Sequence, residues 1–169
     1  RGRASIGINH TWVRPHHDDV SPTSGFGPTV RLNPGRGFGV AAALDWFDAD
    51  LQDEVGHVGT MRVRPVMMGV GYGIPAGRLH TALTFVAGPS FNRLRLARAG
   101  DEAEIETSLA IRPGVSLTYT IAPRVAFTGF AGYLINRPEI LYRSGGAEVR
   151  DRWRADATIL STGIVLSLF

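Results

Sequence analysis

The stretch Glu104–Ile121, EIETSLAIRPGVSLTYTI, alternates between two kinds of side chain along its whole length. The odd-numbered positions from Ile105 to Ile121 are mostly apolar. The even-numbered positions between them are small or polar, with Arg112 near the middle. Successive side chains of a β-strand point to opposite faces of the sheet, so this pattern predicts a strand with one apolar face. Strands of soluble domains usually have about five or six residues. The stretch therefore predicts an unusually long strand.

The same alternation recurs along the rest of the chain and predicts eight strands. They span residues 4–13, 24–33, 37–48, 58–74, 79–95, 104–121, 124–137 and 152–168. The links at 34–36, 75–78 and 122–123 are short and contain Pro or Gly, whereas those at 14–23, 49–57, 96–103 and 138–151 are longer and charged. Because short and long links alternate, an antiparallel sheet places all short turns at one end and all long loops at the other. The predicted fold is all-β, an eight-stranded antiparallel up-and-down barrel, in one domain over residues 1–169.

The composition excludes several classes of protein. The chain of 169 residues has no cysteine, which removes disulfide scaffolds, cysteine zinc sites and thiol catalysis. Its 18 basic residues are all arginine, and they are scattered at a net charge of +3, so the charge gives no sign of nucleic-acid binding. No apolar run is long enough for a transmembrane helix. The start at Arg1 suggests a signal peptide already removed, or a trimmed domain.

The polar faces of the strands distinguish a barrel in lipid from a soluble, lipocalin-like barrel. A soluble barrel needs a hydrated outer face, but here the non-apolar faces are mostly Gly, Ala, Ser and Thr. Such small residues with a few charges suit the narrow interior of an eight-stranded barrel, while the apolar faces meet lipid. The charges expected to form an interior network are Arg31, Asp45, Arg62, Arg64, Glu104, Glu106, Arg112, Arg154 and Asp156.

Aromatic residues near the long-loop ends of the strands predict an interfacial girdle. They are Trp12, Trp46, Phe47, Phe91, Tyr142 and Trp153.

The last segment, Ala157–Phe169, ends the chain on a strand that finishes with phenylalanine. This resembles the C-terminal assembly signal of Gram-negative outer-membrane proteins, so that the whole chain resembles the small OmpA/OmpX/OmpW-type barrels. The resemblance implies a bacterial outer-membrane location, a monomer, lipopolysaccharide and outer-membrane lipid as surroundings, and the barrel-assembly machinery as a partner through Phe169. The chain departs from the family in its last strand. The family prefers apolar residues at alternate positions counted back from the phenylalanine, which here are Ser167, Val165, Gly163 and Ser161. Leu160, Ile164, Leu166 and Leu168 lie on the other face with Arg154 and Asp156, and a bulge or an apolar plug would reconcile the two.

Three groups of residues have the types that metal binding, catalysis or nucleotide binding requires. His16-His17-Asp18-Asp19 has metal-ligand types, but adjacent residues rarely chelate one ion, and a solvated loop is the favoured interpretation. His80 and Ser90 could suggest a lipid A-modifying hydrolase, but they lie ten residues apart, about 33 Å along one strand. The glycines around Gly69 precede no helix and do not suggest a nucleotide loop. The sequence therefore predicts no catalysis, no metal and no cofactor.

The interior charges leave two functions open. Arginines and acids paired across the lumen would plug the barrel and leave it a structural or surface-interaction role. The alternative is a narrow OmpW-like channel for ions or small solutes, which an arginine-lined path would make selective for anions.

Overall fold

A computed structural model describes residues 3–16, 20–33, 36–53, 56–96, 102–144, 147–152 and 154–168. Their twelve strands are β1 (Arg3–Pro15), β2 (Thr23–Asn33), β3 (Gly37–Leu44), β4 (Trp46–Asp53), β5 (Gly56–Ala76), β6 (Leu79–Leu96), β7 (Glu102–Ile105), β8 (Ser108–Ala122), β9 (Val125–Asn136), β10 (Glu139–Ser144), β11 (Ala147–Arg152) and β12 (Ala157–Ser167). Among these residues there is no helix of the length and hydrophobicity that a membrane crossing requires.

The main sheet closes on itself. Each neighbouring pair is antiparallel in the order β1, β2, β3 with β4, β5, β6, β8, β9 and β12, and β1 also pairs with β12. Since β3 and β4 follow one another along the same two neighbours, the closed sheet has eight strand positions, as the alternation predicts. Closure leaves no strand edge without a hydrogen-bonding partner, which is the condition for a sheet in lipid.

One strand position is interrupted at Asp45, between β3 and β4. Pro65 on β5 lies beside Asp45 and accepts its N–H at 3.3 Å, and Pro28 on β2 lies one residue away, beside Leu44. A proline has no N–H to give to a ladder, so hydrogen bonding is weakened on both sides of this point. The β5–β6 ladder also omits Val66 and Met67, which lie opposite Pro89 and Gly88. The predicted strand 37–48 is thus two shorter strands on one line.

The long loops carry strands of their own. β7, β10 and β11 form a separate three-stranded antiparallel sheet in the order β11-β10-β7 at the long-loop end. The interpretation of 138–151 as a loop was therefore wrong, and so were the continuous strands expected over 104–121 and 152–168. The predicted strand 104–121 is interrupted at Glu106 and Thr107, because the residues before them pair in the second sheet. The predicted strand 152–168 is shorter than expected, since β12 begins only at Ala157.

The apolar faces of the barrel strands point outward. On β5, Val66, Met68, Val70, Tyr72 and Ile74 are all more than 40% exposed, whereas the odd-numbered neighbours face the interior. Other outward apolar side chains include Ile6, Ile8, Phe26, Leu32, Phe38, Leu83, Phe85, Leu117, Phe127, Leu160, Ile164 and Leu166. A continuous apolar surface of this extent is unfavourable in water. It is typical of the outer wall of a barrel that is surrounded by lipid.

The register of the last strand follows the same rule. Leu160, Ile164 and Leu166 face outward, and Ile159 and Val165 face inward. Arg154 and Asp156 come before the first residue of β12, so they are not part of its lipid-facing stripe. No bulge is needed in β12 to keep these charges out of lipid.

Candidate functional site in the barrel lumen

The middle of the lumen holds a buried ion pair. Arg112 of β8 donates through Nη1 to Oδ2 of Asp45, at the break between β3 and β4. The two side chains are only 9% and 8% exposed. A buried charge without a partner is very costly, so the pair must form for either residue to occupy this position.

An aromatic ring supports the arginine. The guanidinium carbon of Arg112 lies 5.0 Å from the ring centroid of Phe130, a cation–π distance. Gly114 and Gly132 face each other across β8 and β9, and a Cβ at either position would overlap the Phe130 ring. The two glycines therefore make the space in which the ring lies over the wall and beneath the guanidinium.

The long-loop side of the pair is apolar. Phe47, Met61, Val63, Leu134 and Ile159 are buried there, in a cluster that also includes Val13, Met67, Val86, Ala110 and Ala157. The cavity next to this cluster has a volume of about 20 Å³. That is room for about one water molecule, so this level of the lumen is nearly filled by side chains.

Beside the apolar cluster lies a chain of small polar groups. Ser90 donates to Asn92 (2.9 Å), Asn92 donates to Ser108 (3.1 Å), and Asn136 donates to Ser90 (3.3 Å). Ser108 in turn donates to Asn136. Ser90 is fully buried within this network, and His80 lies ten residues away along β6. The Ser90 hydroxyl therefore both donates and accepts a hydrogen bond within the buried network.

The short-turn side of the pair is wider and polar. Arg31 points inward and donates through Nη1 to the Thr118 hydroxyl at 3.3 Å. The space around it, about 610 Å³, is lined by hydroxyl side chains at Ser5, Thr84, Ser116, Thr118, Thr120 and Ser167. Between this vestibule and the apolar cluster, the cavity at Asp45 and Arg112 holds only about 40 Å³. The lumen is therefore narrow at two successive levels, the ion pair and the apolar cluster next to it.

The structure separates the nine predicted lumen charges. Arg31, Asp45 and Arg112 face the barrel interior, and Asp156 is half-buried at the long-loop end, where it accepts from the Asn136 N–H and lies 3.4 Å from Arg137. Arg154 is exposed just before β12, and Glu106 is exposed between β7 and β8. The side chain of Glu104 lies outside the described residues.

The placement of Arg62 and Arg64 in the lumen was wrong. Both share the outward face of β5 with Val66 and Met68, and Met61 and Val63 take the interior positions instead. The reason is the length of β5, which continues well past the apolar belt. Beyond lipid, water meets the outer face and accepts charge, while the interior face packs into the apolar cluster.

The aromatic girdle is also partly different from the prediction. Trp12, Trp46 and Phe91 face outward and are 45–52% exposed. Phe47 was misplaced, because it follows Trp46 directly on β4 and so points into the lumen, where it is 7% exposed. Tyr142 belongs to β10 in the second sheet; its side chain, Trp153 and Phe169 lie outside the described residues.

Of His16-His17-Asp18-Asp19, the last three residues fall outside the described residues. In the part of the chain that is described, no group of three or more His, Asp or Glu side chains is arranged to hold a metal ion. His16 instead forms a hydrogen bond of 2.9 Å with the Thr158 hydroxyl.

Two features of the site escaped the sequence analysis. One is Phe130, whose even position places it on the interior face with Thr128 and Gly132, so the alternation of β9 could have revealed it. The other is the hairpin of β10 and β11. Its signal is Gly145-Gly146, a two-residue glycine link between runs of strand-forming residues.

Comparison with solved structures identifies the same fold in known proteins. The chain aligns with the crystal structure of the outer membrane protein OprG from Pseudomonas aeruginosa at a TM-score of 0.81 and 12% identity, covering 99% of this chain and 96% of that one. AlkL, solved in DMPC lipid bilayers, aligns at 0.68 with 15% identity and coverage of 99% and 90%. E. coli outer membrane protein W aligns at 0.67 with 16% identity and coverage of 98% and 97%.

No protein-family model matches the chain, and neither does any curated protein sequence. At these identities the structural matches show the fold. The chain has the fold of these small outer-membrane barrels, an eight-stranded antiparallel barrel, as predicted, with an apolar belt on its outer wall.

Proposed function

We propose that this barrel is closed to ions and acts through its surface, as an integral structural or surface-interaction protein of the bacterial outer membrane. The observation that carries the proposal is the buried Arg112–Asp45 pair, which together with the apolar cluster fills the middle of the lumen. A cavity of about 40 Å³ there accommodates a few water molecules but no hydrated ion. The second sheet, β7 with β10 and β11, gives the long-loop end an ordered surface for partners.

Planar-bilayer recording tests the closure. We expect the wild-type protein to give no conductance steps, and Arg112→Ser alone to stay silent because the apolar cluster still fills the next level of the lumen. The variant R112S/M61A/M67A, which removes side chains from both levels, should give small steps. Thr128→Ser is a matched control that changes a buried lumen residue without removing the plug, and it should stay silent. Wild-type steps whose ion selectivity changes in Arg112→Gln would refute the closed barrel and establish an ion channel.

A second candidate function is passage or holding of small apolar solutes. The observation that favours it is the apolar lining of the lumen on the long-loop side of the ion pair. Phe47, Met61 and Met67 lie there in place of the polar side chains expected of a water-filled pore. Small solutes could be accommodated if these flexible side chains repack. Because Met68 faces outward, it is an internal control for Met61 and Met67.

Methyl NMR of the barrel in nanodiscs separates this candidate from a closed core. A short alkane that enters the lumen should shift the Met61 and Met67 methyl signals at concentrations where Met68 is unchanged. Shifts at Met68 alone would mean that the alkane dissolves only in the bilayer.

We also propose that the protein is not an enzyme, and that lipopolysaccharide and the barrel-assembly machinery are its partners. The proposal that it is not an enzyme is supported by the hydrogen bonds that hold the Ser90 hydroxyl in the buried network, and by the ten residues that separate Ser90 from His80 along β6. Incubating the folded barrel with lipopolysaccharide and analysing the acyl chains by mass spectrometry tests it. Loss or transfer of an acyl chain would show that the protein is an enzyme after all.

A further inference from the structure

A patch of arginines lies on the outer wall of the barrel, at the long-loop ends of β5 and β6. It consists of Arg62, Arg64, Arg93 and Arg95, and we call it the arginine patch. Arg64, Arg93 and Arg95 are exposed, and the side chain of Arg62 is 36% exposed. All four project to the same side as the lipid-facing residues of their strands, just past the edge of the apolar belt.

The strand register places the patch at a defined height. Arg64 pairs with Phe91, and it lies beside Trp46 because the next residue, Phe47, pairs with Val63. Trp and aromatic residues concentrate at the boundary between acyl chains and headgroups. Arg64 is therefore level with this boundary, and the other three arginines follow within four residues along the strands, at headgroup height.

The patch has more positive than negative charge. Arg62 pairs in register with Asp48 on one side, at 3.5 Å between Nε and Oδ1, and with Arg93 on the other. Asp50, two residues above Asp48, accepts a hydrogen bond from Thr60 at 2.9 Å. Within the described residues, Arg64, Arg93 and Arg95 have no acidic partner.

An anion from outside the chain would stabilise this arrangement of arginines. Like charges placed directly opposite each other on neighbouring strands are destabilising, and Arg62 and Arg93 are such a pair. Guanidinium groups bind phosphate through two parallel hydrogen bonds, and several in one place favour a multiply charged ligand.

We propose that the arginine patch binds the phosphate groups of lipopolysaccharide, with Trp46 and Phe91 against the upper part of its acyl chains. The phosphorylated sugar headgroup lies directly above acyl chains, which is the spacing between the arginines and the two aromatic rings. The site depends on the proposed lipopolysaccharide partnership and specifies where it takes place. It is independent of whether the lumen conducts.

Native mass spectrometry of the detergent-solubilised barrel tests the site, with bis-phosphorylated lipid A as the probe. We expect the variant R64Q/R93Q/R95Q to bind it about tenfold or more weakly than the wild type, which is the factor for losing one hydrogen bond to a charged group. Retention of heat-modifiable gel mobility shows that the variant is folded. Dephosphorylated lipid A should bind the wild type and the variant equally.

Arg14 provides the matched control, because it is exposed on the outward face of β1, on the opposite side of the barrel. R14Q should keep the wild-type affinity for the phosphorylated probe within about twofold. Equal binding of that probe by the wild type and the triple variant would overturn the proposal. So would an equal loss in R14Q, because it would show attraction to net charge instead of a site.

Discussion

Asp45 and Arg112 are 67 residues apart in the chain and form a buried ion pair in the middle of the barrel. Each comes from an irregular point of its strand: Asp45 separates β3 from β4, and Arg112 precedes Pro113, where the β8–β9 ladder is interrupted. The pair therefore joins two walls of the barrel at points where a strand or one of its ladders is interrupted. This relationship ties the stability of the barrel to the closure of its lumen.

Removing one partner of the pair should cost more than removing both. Arg112→Ala leaves the Asp45 carboxylate buried without a counter-charge, and we expect it to lower the free energy of unfolding by about 3–5 kcal/mol. The double variant R112M/D45L removes both charges and should recover most of that loss. Urea unfolding in lipid vesicles measures both, and a double variant less stable than the single one would contradict this account.

Filling the space beside Phe130 should disturb the support of Arg112. Gly114→Ala forces the ring to move, and we expect it to cost about 1–3 kcal/mol through overpacking. If the ring is the cause, Gly114→Ala should cost much less in a Phe130→Leu background. Equal costs in both backgrounds, measured by urea unfolding, would assign the effect to the backbone instead.

The two faces of β5 give a matched test of the apolar cluster. Met67 is buried in the lumen and Met68 is 67% exposed on the outer wall. Met67→Ala should cost about 2–5 kcal/mol because it opens a cavity, whereas Met68→Ala exchanges one lipid-facing side chain for a smaller one and should cost far less. A larger loss of unfolding free energy in Met68→Ala than in Met67→Ala would show that the two faces are assigned wrongly.

A charge placed on the outer wall should be penalised according to its depth. Val70 lies in the middle of the apolar stripe of β5, and Val66 lies at its upper edge, next to Arg64. Val70→Arg should lower the free energy of unfolding by about 2–4 kcal/mol, and Val66→Arg by about 0–1 kcal/mol. Equal penalties at the two positions would mean that the belt does not end where the arginine patch begins.

The alternation of side chains was sufficient to predict the barrel, because lipid and a narrow lumen impose opposite demands on neighbouring residues. It gave eight strand positions, the end at which long loops lie, and the outward face of β8. It also placed Asp45 and Arg112 in the lumen.

The errors arose where residue type was used in place of position. Arg62 and Arg64 were assigned to the lumen because charges are costly in lipid, although both alternate with the interior residues Met61 and Val63. That cost applies only within the belt, and the sequence alone does not show where a long strand leaves it. Phe47 was misplaced for the same reason, since an aromatic residue suits a girdle and a packed core equally well.

The orientation of the apolar faces supports every other conclusion, and the three methionines measure it directly. With methyl-labelled methionine in nanodiscs, a lipid-dissolved spin label should broaden the Met68 signal strongly and leave Met61 and Met67 sharp. Broadening of Met61 and Met67 with a protected Met68 would show that the apolar stripe faces the interior, which would contradict the membrane barrel described above.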